Sequence, residues 1–422
     1  MSDVEAIVGD VGSAWTRIGM AGESSPKAWF PSVLGKVGGT GKSKKWAVSL
    51  DELHRHKGVP LHYPVREGIV DDWDGVEEIW DRGFKLLGTR PSAERHPVLL
   101  AEAAWAPADQ RAKYAELMFE RFQVPGLFIS KTPVLACFAN ARSSGLVLDV
   151  GGAVTSAVAV HDGQVLQKAV KRTNLAGDAL SAELADAIQR GGHVTEALAD
   201  ATHGGASRSS NVSLHPRCEL AKTRSRDGRH PPLPAAELNS LHESYRQWAR
   251  LDLADEIKRS LCHLADREPA VASDEGAVPK LEYDLPDGTK LQVGSERFRV
   301  PELLFNPGVG RYAAASPLPK LVCDSALECP LDMRKELFSS IVLTGGGSTL
   351  RGLDLRVYNG VRDLAPPVFK ILKPLVAAPE ERRAGAWLGG SILGSLDSCH
   401  DMWVSSAEYQ ESGAAVIEKK CP

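Results

Sequence analysis

No apolar run in this sequence approaches the roughly 18 uncharged residues of a membrane-crossing helix, which excludes a helical membrane span and makes a membrane partner unexpected. A basic leader is also missing. The first residues, MSDVEAIVGDVGSAW, carry acids and read directly into a strand, so no secretory signal is expected. Neither sign of charge is in excess: 50 Lys+Arg against 54 Asp+Glu leave a net charge of −4 and a pI near 6.3. That balance argues against a protein whose whole surface serves nucleic acid. The seven cysteines, an odd number, never form a CxxC pair. Reduced thiols in a cytosolic or nuclear compartment are therefore expected, and a zinc site is not. With 43% apolar and 25% charged residues, the composition is neither disordered, collagen-like nor coiled-coil. What is left is a globular chain of 422 residues, long enough for two or three domains at roughly 150 residues each.

Residues 5–9 (EAIVG) read as a short strand ending at Asp10, followed by the turn Val11-Gly12-Ser13-Ala14 and a second alternating run through Trp15, Arg17 and Met20. Gly and Ser between two alternating runs predict a hairpin. Residues 36–45 (KVGGTGKSKK) have no apolar period and read as a solvated loop. From Asp72 to Leu87, Trp73, Val76, Ile79, Trp80 and Phe84 recur at helical spacing. Residues 96–102 read as a buried strand, and Pro107 opens a helix expected to run through Phe122. At 146–160 the first pattern returns: Leu146-Val147-Leu148-Asp149, then Val150-Gly151-Gly152-Ala153, then a run from Thr155 to Val160. A repeat about 140 residues apart implies two similar α/β halves facing each other. Residues 201–235 are polar, rich in Gly, Ser, Pro and Arg, and read as a disordered or loosely packed insertion. Helices are expected over 236–265, 380–396 and 407–417, and residues 341–352 (IVLTGGGSTLRG) form a strand running into a Gly-rich turn.

Three strand-to-glycine turns, at 10–14, 149–153 and 344–348, invite one explanation. Backbone N–H groups in a tight Gly/Ser turn form a nest for an anion, and only small residues let a phosphate approach. Two such hairpins clamp a triphosphate from both sides, and Asp10 and Asp149 at the strand ends suit a magnesium ion held through its waters. Gly345-Gly346-Gly347-Ser348 would let an adenine or ribose lie against backbone.

The chain resembles the actin family over almost its whole length. The resemblance is carried by GDVGSAWTRIGMAGESSPKAWFPSVLG, YPVREGIVDDWDGVEEIW, HPVLLAEA, LPDGTKLQVGSERFRVPELLF, IVLTGGGSTLRG and WLGGSILGSLDSCHDMWVSSAEYQESG. SKTPVLACFANARSSGLVLDVG, HDGQVLQ and the terminal KKCP point to its nuclear actin-like class. The resemblance implies a two-lobed α/β fold of the actin, hexokinase and chaperone-ATPase kind, with ATP and magnesium in a cleft between duplicated lobes. The first lobe would comprise 1–140 plus 385–422, and the second 141–384. It assigns Gly12, Ser13, Ala14 and Arg17 to the first phosphate loop. Asp149, Gly151, Gly152, Ala153 and Val154 fall in the second, and Gly345, Gly346, Gly347, Ser348 and Leu350 in the adenosine turn. Gly177, Lys258, Arg259 and Arg383 become further nucleotide contacts, and Asp10 and Asp149 the metal carboxylates.

Departures from the family pattern fall on the hydrolytic positions. Thr132 stands where actins carry a water-positioning glutamine, Gly152 where the second loop continues with an acid, and Ser156 where a histidine follows. Arg259 replaces a ribose-binding glutamate and cannot accept from sugar hydroxyls. Orienting the nucleophile is most of what a protein contributes to phosphoryl transfer, and each lost group costs about 2–4 kcal/mol of barrier. Bound ATP with little or no hydrolysis is the expectation, so the chain is not read as an enzyme. An active ATPase or kinase of the same fold is the competing reading.

The 36–57 region, where actins keep their subunit-gripping loop, is dissimilar here, so loss of polymerisation is expected, against a cytoskeletal filament or capping protein. The resemblance implies a scaffold in a nuclear chromatin-remodelling or histone acetyltransferase complex. There it would pair with actin on a long helix of a larger subunit, seated in a groove lined by 137–146 and 388–404. The insertion carries Arg208, Arg217, Lys222, Arg224, Arg226 and Arg229 against Glu219 and Asp227. It reads either as a contact for histones or DNA phosphates or as a solvated loop without a partner.

Overall fold

The repeated strand–turn–strand units each head a sheet. The structure, a computed structural model, describes residues 5–38, 45–89, 96–191, 193–195, 213–226, 228–266, 278–308 and 311–421. In the first half, strand Ile7–Val11 pairs antiparallel with Trp15–Met20 and parallel with Val98–Glu102. Gly126–Lys131 continues the parallel side, completing a six-stranded sheet with Ala28–Pro31 and Val404–Ser405 at its edges. In the second half, Gly145–Val150 pairs antiparallel with Thr155–His161 and parallel with Ile341–Thr344. The register is matched: Asp10 lies between Arg17 and Ala101, and Asp149 between Ser156 and Thr344. A parallel neighbour on one side and a hairpin on the other buries each central strand, which is why both read as unbroken apolar runs.

Each sheet packs on its own apolar cluster. One holds Ile7, Val8, Trp80, Leu99, Ile129 and Trp387; the other holds Leu146, Leu148, Leu184, Ile257, Leu321 and Leu343. Between them cross two helices, Thr132–Ala139 and Gly385–Gly394. They approach closely because a Cβ on Gly389 would stand 1.7 Å from the Leu135 carbonyl oxygen, so no other residue fits that crossing.

The helix Trp73–Leu87 starts and ends where predicted: Asp72 accepts from the Asp74 N–H at 3.1 Å, and Gly88 takes the left-handed conformation at the end. Elsewhere the local reading is corrected. Residues 36–38 and 45 are strand, in Leu34–Gly38 and Lys45–Val48, since the two pair with each other, Lys36 against Trp46 and Gly38 against Lys45; residues 39–44 lie outside the described residues. Pro107 caps the helix Ala108–Glu116 from outside, and Leu117–Arg121 widens into a π turn. The region 236–265 divides into Ala235–Leu238 and Glu243–Leu261. The helix expected over 380–396 breaks at Ala384 into Pro379–Arg383 and Gly385–Gly394, and 407–417 divides into Ser406–Ser412 and Ala415–Lys420.

The insertion is the largest correction. Its residues 201–212, with Arg208, and Asp227 lie outside the described residues. Residues 214–220 are packed: Leu214, Cys218 and Leu220 are buried, and Leu220 bridges to Pro232, while 222–226 are exposed. The Glu219 carboxylate, itself buried, is held by Arg246 at 2.9 Å, Arg250 at 2.8 Å and His215 at 3.1 Å. A polar composition without period does not reveal a fold held by one buried carboxylate and its cations.

All seven cysteines are unpaired and buried. Cys421 is fully buried: its carbonyl accepts from Arg111 at 2.6 Å and its Sγ from the Ile129 N–H at 3.3 Å. No helix among the described residues is long and apolar enough to cross a membrane.

Candidate nucleotide cleft

The two hairpin turns close in the same way. The Gly12 N–H donates to the Trp15 carbonyl at 3.1 Å, and the Gly151 N–H to the Val154 carbonyl at 3.0 Å. They face each other across a cleft: a Cβ placed on Gly152 would come within 2.7 Å of the Ala14 Cβ. The cleft wall includes Asp10, Gly12, Ser13, Ala14, Arg17, Thr132, Asp149, Gly151, Gly152, Ala153, Val154, Gly177, Lys258, Arg259, Gly345, Gly346, Gly347, Leu350 and Arg383, so residues far apart in sequence converge. Two expected positions do not reach it. Ser348 is fully buried and donates to the Gly345 carbonyl at 2.7 Å, shaping the turn from behind, while its neighbour Thr349 lines the cleft. Ser156 is buried on the strand opposite Asp149.

Electrostatics distinguish the two strand-end carboxylates. Arg17 stands across the hairpin from Asp10 and donates to it at 2.8 Å. The equivalent position opposite Asp149 is Ser156, which supplies no cation. Burial, and then repulsion by Asp10, push the Asp149 carboxyl up to about 6, with Arg17 opposing. A carboxylate held above its ordinary range, beside a second one, suits a cation placed between them.

On the opposite wall, Lys258 Nζ is anchored to the Gly177 carbonyl at 2.7 Å, Ser181 Oγ at 2.8 Å and Asp255 at 2.7 Å. Arg259 is paired with Asp255 at 2.9 Å. Arg17 and Arg383 both stand over the Trp29 ring, their guanidinium carbons 4.9 Å and 5.1 Å from its centroid. Burial, with repulsion from Arg259 and Arg17, weakens the hold of Arg383 on its proton. Arg17 Nε and Arg382 Nε are buried without a hydrogen-bond partner. Crowded cations with orphaned donors, small-residue turns and two carboxylates fit a polyphosphate with a divalent cation. Gly346, with nothing within 4 Å of its Cβ position, leaves backbone open on the adenosine side.

Residues absent from the sequence reading also belong to this cleft. Asp178 opens the helix Gly177–Gly191, and its N–H donates to the Gly152 carbonyl at 2.8 Å. Both its carboxylate oxygens lie 3.3 Å from the place a Cβ on Gly152 would occupy, and burial, opposed by Lys258, raises its pKa. Arg382 lines the cleft beside Arg383, its backbone carbonyl accepting from the Gly345 N–H at 2.9 Å. An acid one residue after a helix-starting glycine is too common a pattern to mark Asp178 in advance.

A protein-family model described as Actin matches residues 1–422. Actin-related protein 4 of Arabidopsis thaliana is 35% identical over 458 aligned positions, which cover 100% of this chain and 99% of that protein. The proteins called actin-related protein 4 in Oryza sativa subspecies indica and japonica are each 36% identical over 464 positions, with the same coverage of 100% and 99%.

Proposed function

The chain belongs to the actin family, and from that premise we propose that its cleft holds ATP with magnesium as a structural ligand, hydrolysed slowly or not at all. Asp10 and Asp149 would hold the metal through its waters. The turns at Gly12–Ala14 and Gly151–Val154 would take the phosphates, Arg17, Lys258 and Arg383 would add positive charge, and Gly345–Gly347 with Leu350 would bed the adenosine. Bound magnesium would supply charge neutralisation across the phosphates. One observation carries the non-hydrolytic part. Of the three positions expected to serve the attacking water, Thr132 offers a short hydroxyl, Gly152 no side chain, and Ser156 is buried away from the cleft. Single-turnover hydrolysis of ATP with magnesium tests this: turnover in minutes, abolished by Asp149→Ala, would defeat it.

The active-ATPase reading is favoured by Asp178, whose carboxylate stands beside the place vacated at Gly152. If Asp178 orients water, Asp178→Asn would lower measurable turnover with nucleotide affinity kept; if not, turnover would be equally low in both.

The cellular reading is a nuclear, non-polymerising scaffold. It would pair with actin on a long helix of a remodeller or acetyltransferase subunit, with lobes bounded as 1–140 plus 385–422 and 141–384. Ile392 and Leu396, apolar yet exposed, support an apolar groove along 137–146 and 388–404. A basic amphipathic helix would lie there. Nuclear affinity purification that recovers this chain alone, or robust pelleting at high magnesium, would defeat the scaffold. The cations of the insertion, Arg217, Lys222, Arg224, Arg226 and Arg229, remain a candidate histone or DNA contact, since Glu219 is already engaged by Arg246 and Arg250.

A further inference from the structure

Trp29, half-buried on the edge strand Ala28–Pro31, belongs to none of the four apolar clusters among the described residues. The register sets it directly across from Arg17, which is directly across from Asp10, so the three side chains form one row on one face of the first sheet. Asp10 and Arg17 line the cleft, and Trp29 stands behind them. What its ring carries is a pair of cations, Arg17 at 4.9 Å and Arg383 at 5.1 Å from the centroid. Arg17 donates to Asp10 at 2.8 Å, while its Nε is buried without a partner. Arg383 arrives from the side of the second sheet. It ends the helix Pro379–Arg383, whose Arg382 carbonyl accepts from the Gly345 N–H at 2.9 Å. Its carboxylate neighbour, Glu380, stands 3.6 Å away with a side chain 78% exposed, a weak hold.

We propose that Trp29 is a positioning residue that fixes Arg17 and Arg383 as a pair of cations for the phosphates, and so sets the preference of the cleft for polyphosphorylated over unphosphorylated adenine ligands. The inference rests on the nucleotide reading above. Two guanidiniums brought to one ring repel, and Arg17 is among the cations that repel Arg383. Unopposed, that repulsion would drive Arg383 outward to the exposed Glu380 and to water. The electron-rich face of the indole opposes it, and the planar, weakly hydrated guanidinium is the cation best suited to such a face. A polyanion entering the cleft relieves the repulsion and finds both side chains already ordered, so less freedom is lost on binding. An uncharged nucleoside relieves nothing and gains nothing from the pair.

The test measures the affinities of ATP with magnesium and of adenosine, each in competition with a fluorescent adenine nucleotide on the full chain. The variants are Trp29→Leu, which removes the aromatic face, and Trp29→Phe, which keeps a smaller one. Losing both cation–ring contacts should weaken ATP binding about tenfold in Trp29→Leu, with a smaller loss in Trp29→Phe and adenosine affinity unchanged in both. A merely structural role would weaken both ligands alike, so the ratio of ATP to adenosine affinity is the deciding quantity. An unmodified ratio in Trp29→Leu, or an equal loss of both ligands in the two variants, would overturn the positioning role and leave the nucleotide reading standing. If Trp29→Leu fails to fold, Trp29→Phe decides: a ratio equal to that of the unmodified protein would overturn the proposal, and a reduced ratio would support it. An unmodified protein that binds neither ATP nor adenosine would overturn both the nucleotide reading and the role of Trp29.

Discussion

Substituting Asp149 by Asn should make the nucleotide-free protein more stable and the loaded protein less so. The Asp149 carboxyl is raised from 3.8 to about 6, first by burial and then by Asp10. About 2 pKa units at about 1.4 kcal/mol each give about 3 kcal/mol as the upper limit of what the charged form costs the empty fold at neutral pH, because one edge of the group faces the open cleft. Asparagine keeps the shape and removes the charge. For a chain of this length, about 2 cal/mol/K of unfolding entropy per residue makes 1 kcal/mol worth about 1 °C in melting temperature. The empty Asp149→Asn protein should therefore melt up to about 3 °C above the unmodified one. Magnesium and ATP at 100 times the dissociation constant should add about 2.7 kcal/mol, again about 3 °C, to the unmodified protein. They should add little to the variant, and a chelator should remove the gain. The sign of the pH dependence follows from the raised folded-state value. Between about 6 and 3.8 the folded protein takes up the proton that the unfolded chain does not, so its stability relative to the variant rises as pH falls. The variant's advantage should be full above about pH 6, shrink below it, and vanish under pH 3.8. Melting curves across pH, with and without magnesium and ATP, read all of this. An Asp149→Asn protein that melts below the unmodified one when both are empty would refute the electrostatic reasoning.

Gly345→Ala should abolish nucleotide retention and lower stability by about 2 kcal/mol or more, since its φ is +87° and a Cβ would stand 2.2 Å from Asp149 Oδ1; filter binding and thermal melts check it. Glu102→Gln should be more destabilising, by about 3–5 kcal/mol, because this buried carboxylate pairs with both Arg111 and Lys131; urea unfolding monitored by tryptophan fluorescence would detect it. Glu219→Gln should cost a similar amount and should loosen the buried part of the insertion, seen as new protease cleavage within 214–220.

The local grammar of the chain determined the nucleus of the site. A strand ending in an acid, a glycine turn and a second strand constrain only neighbouring residues, so the hairpins at Asp10 and Asp149 were readable, and so was their repetition. The helix Trp73–Leu87 was equally legible, because its period, its Asp72 cap and its Gly88 stop all act within one or two turns. Tertiary structure decided what depends on distant partners. Ser348 looked like a ligand residue until its hydroxyl was found bonded to Gly345 behind the turn, and Asp178 carried no mark until folding set it beside Gly152. The insertion is the clearest case. Its composition predicts solvation, yet Glu219 can be buried because Arg246 and Arg250 arrive from a later helix to neutralise it. Hydrogen bonds within a turn are set by adjacent residues and show in sequence; charge compensation and packing across a cleft depend on where distant segments meet, and only the folded chain fixes that.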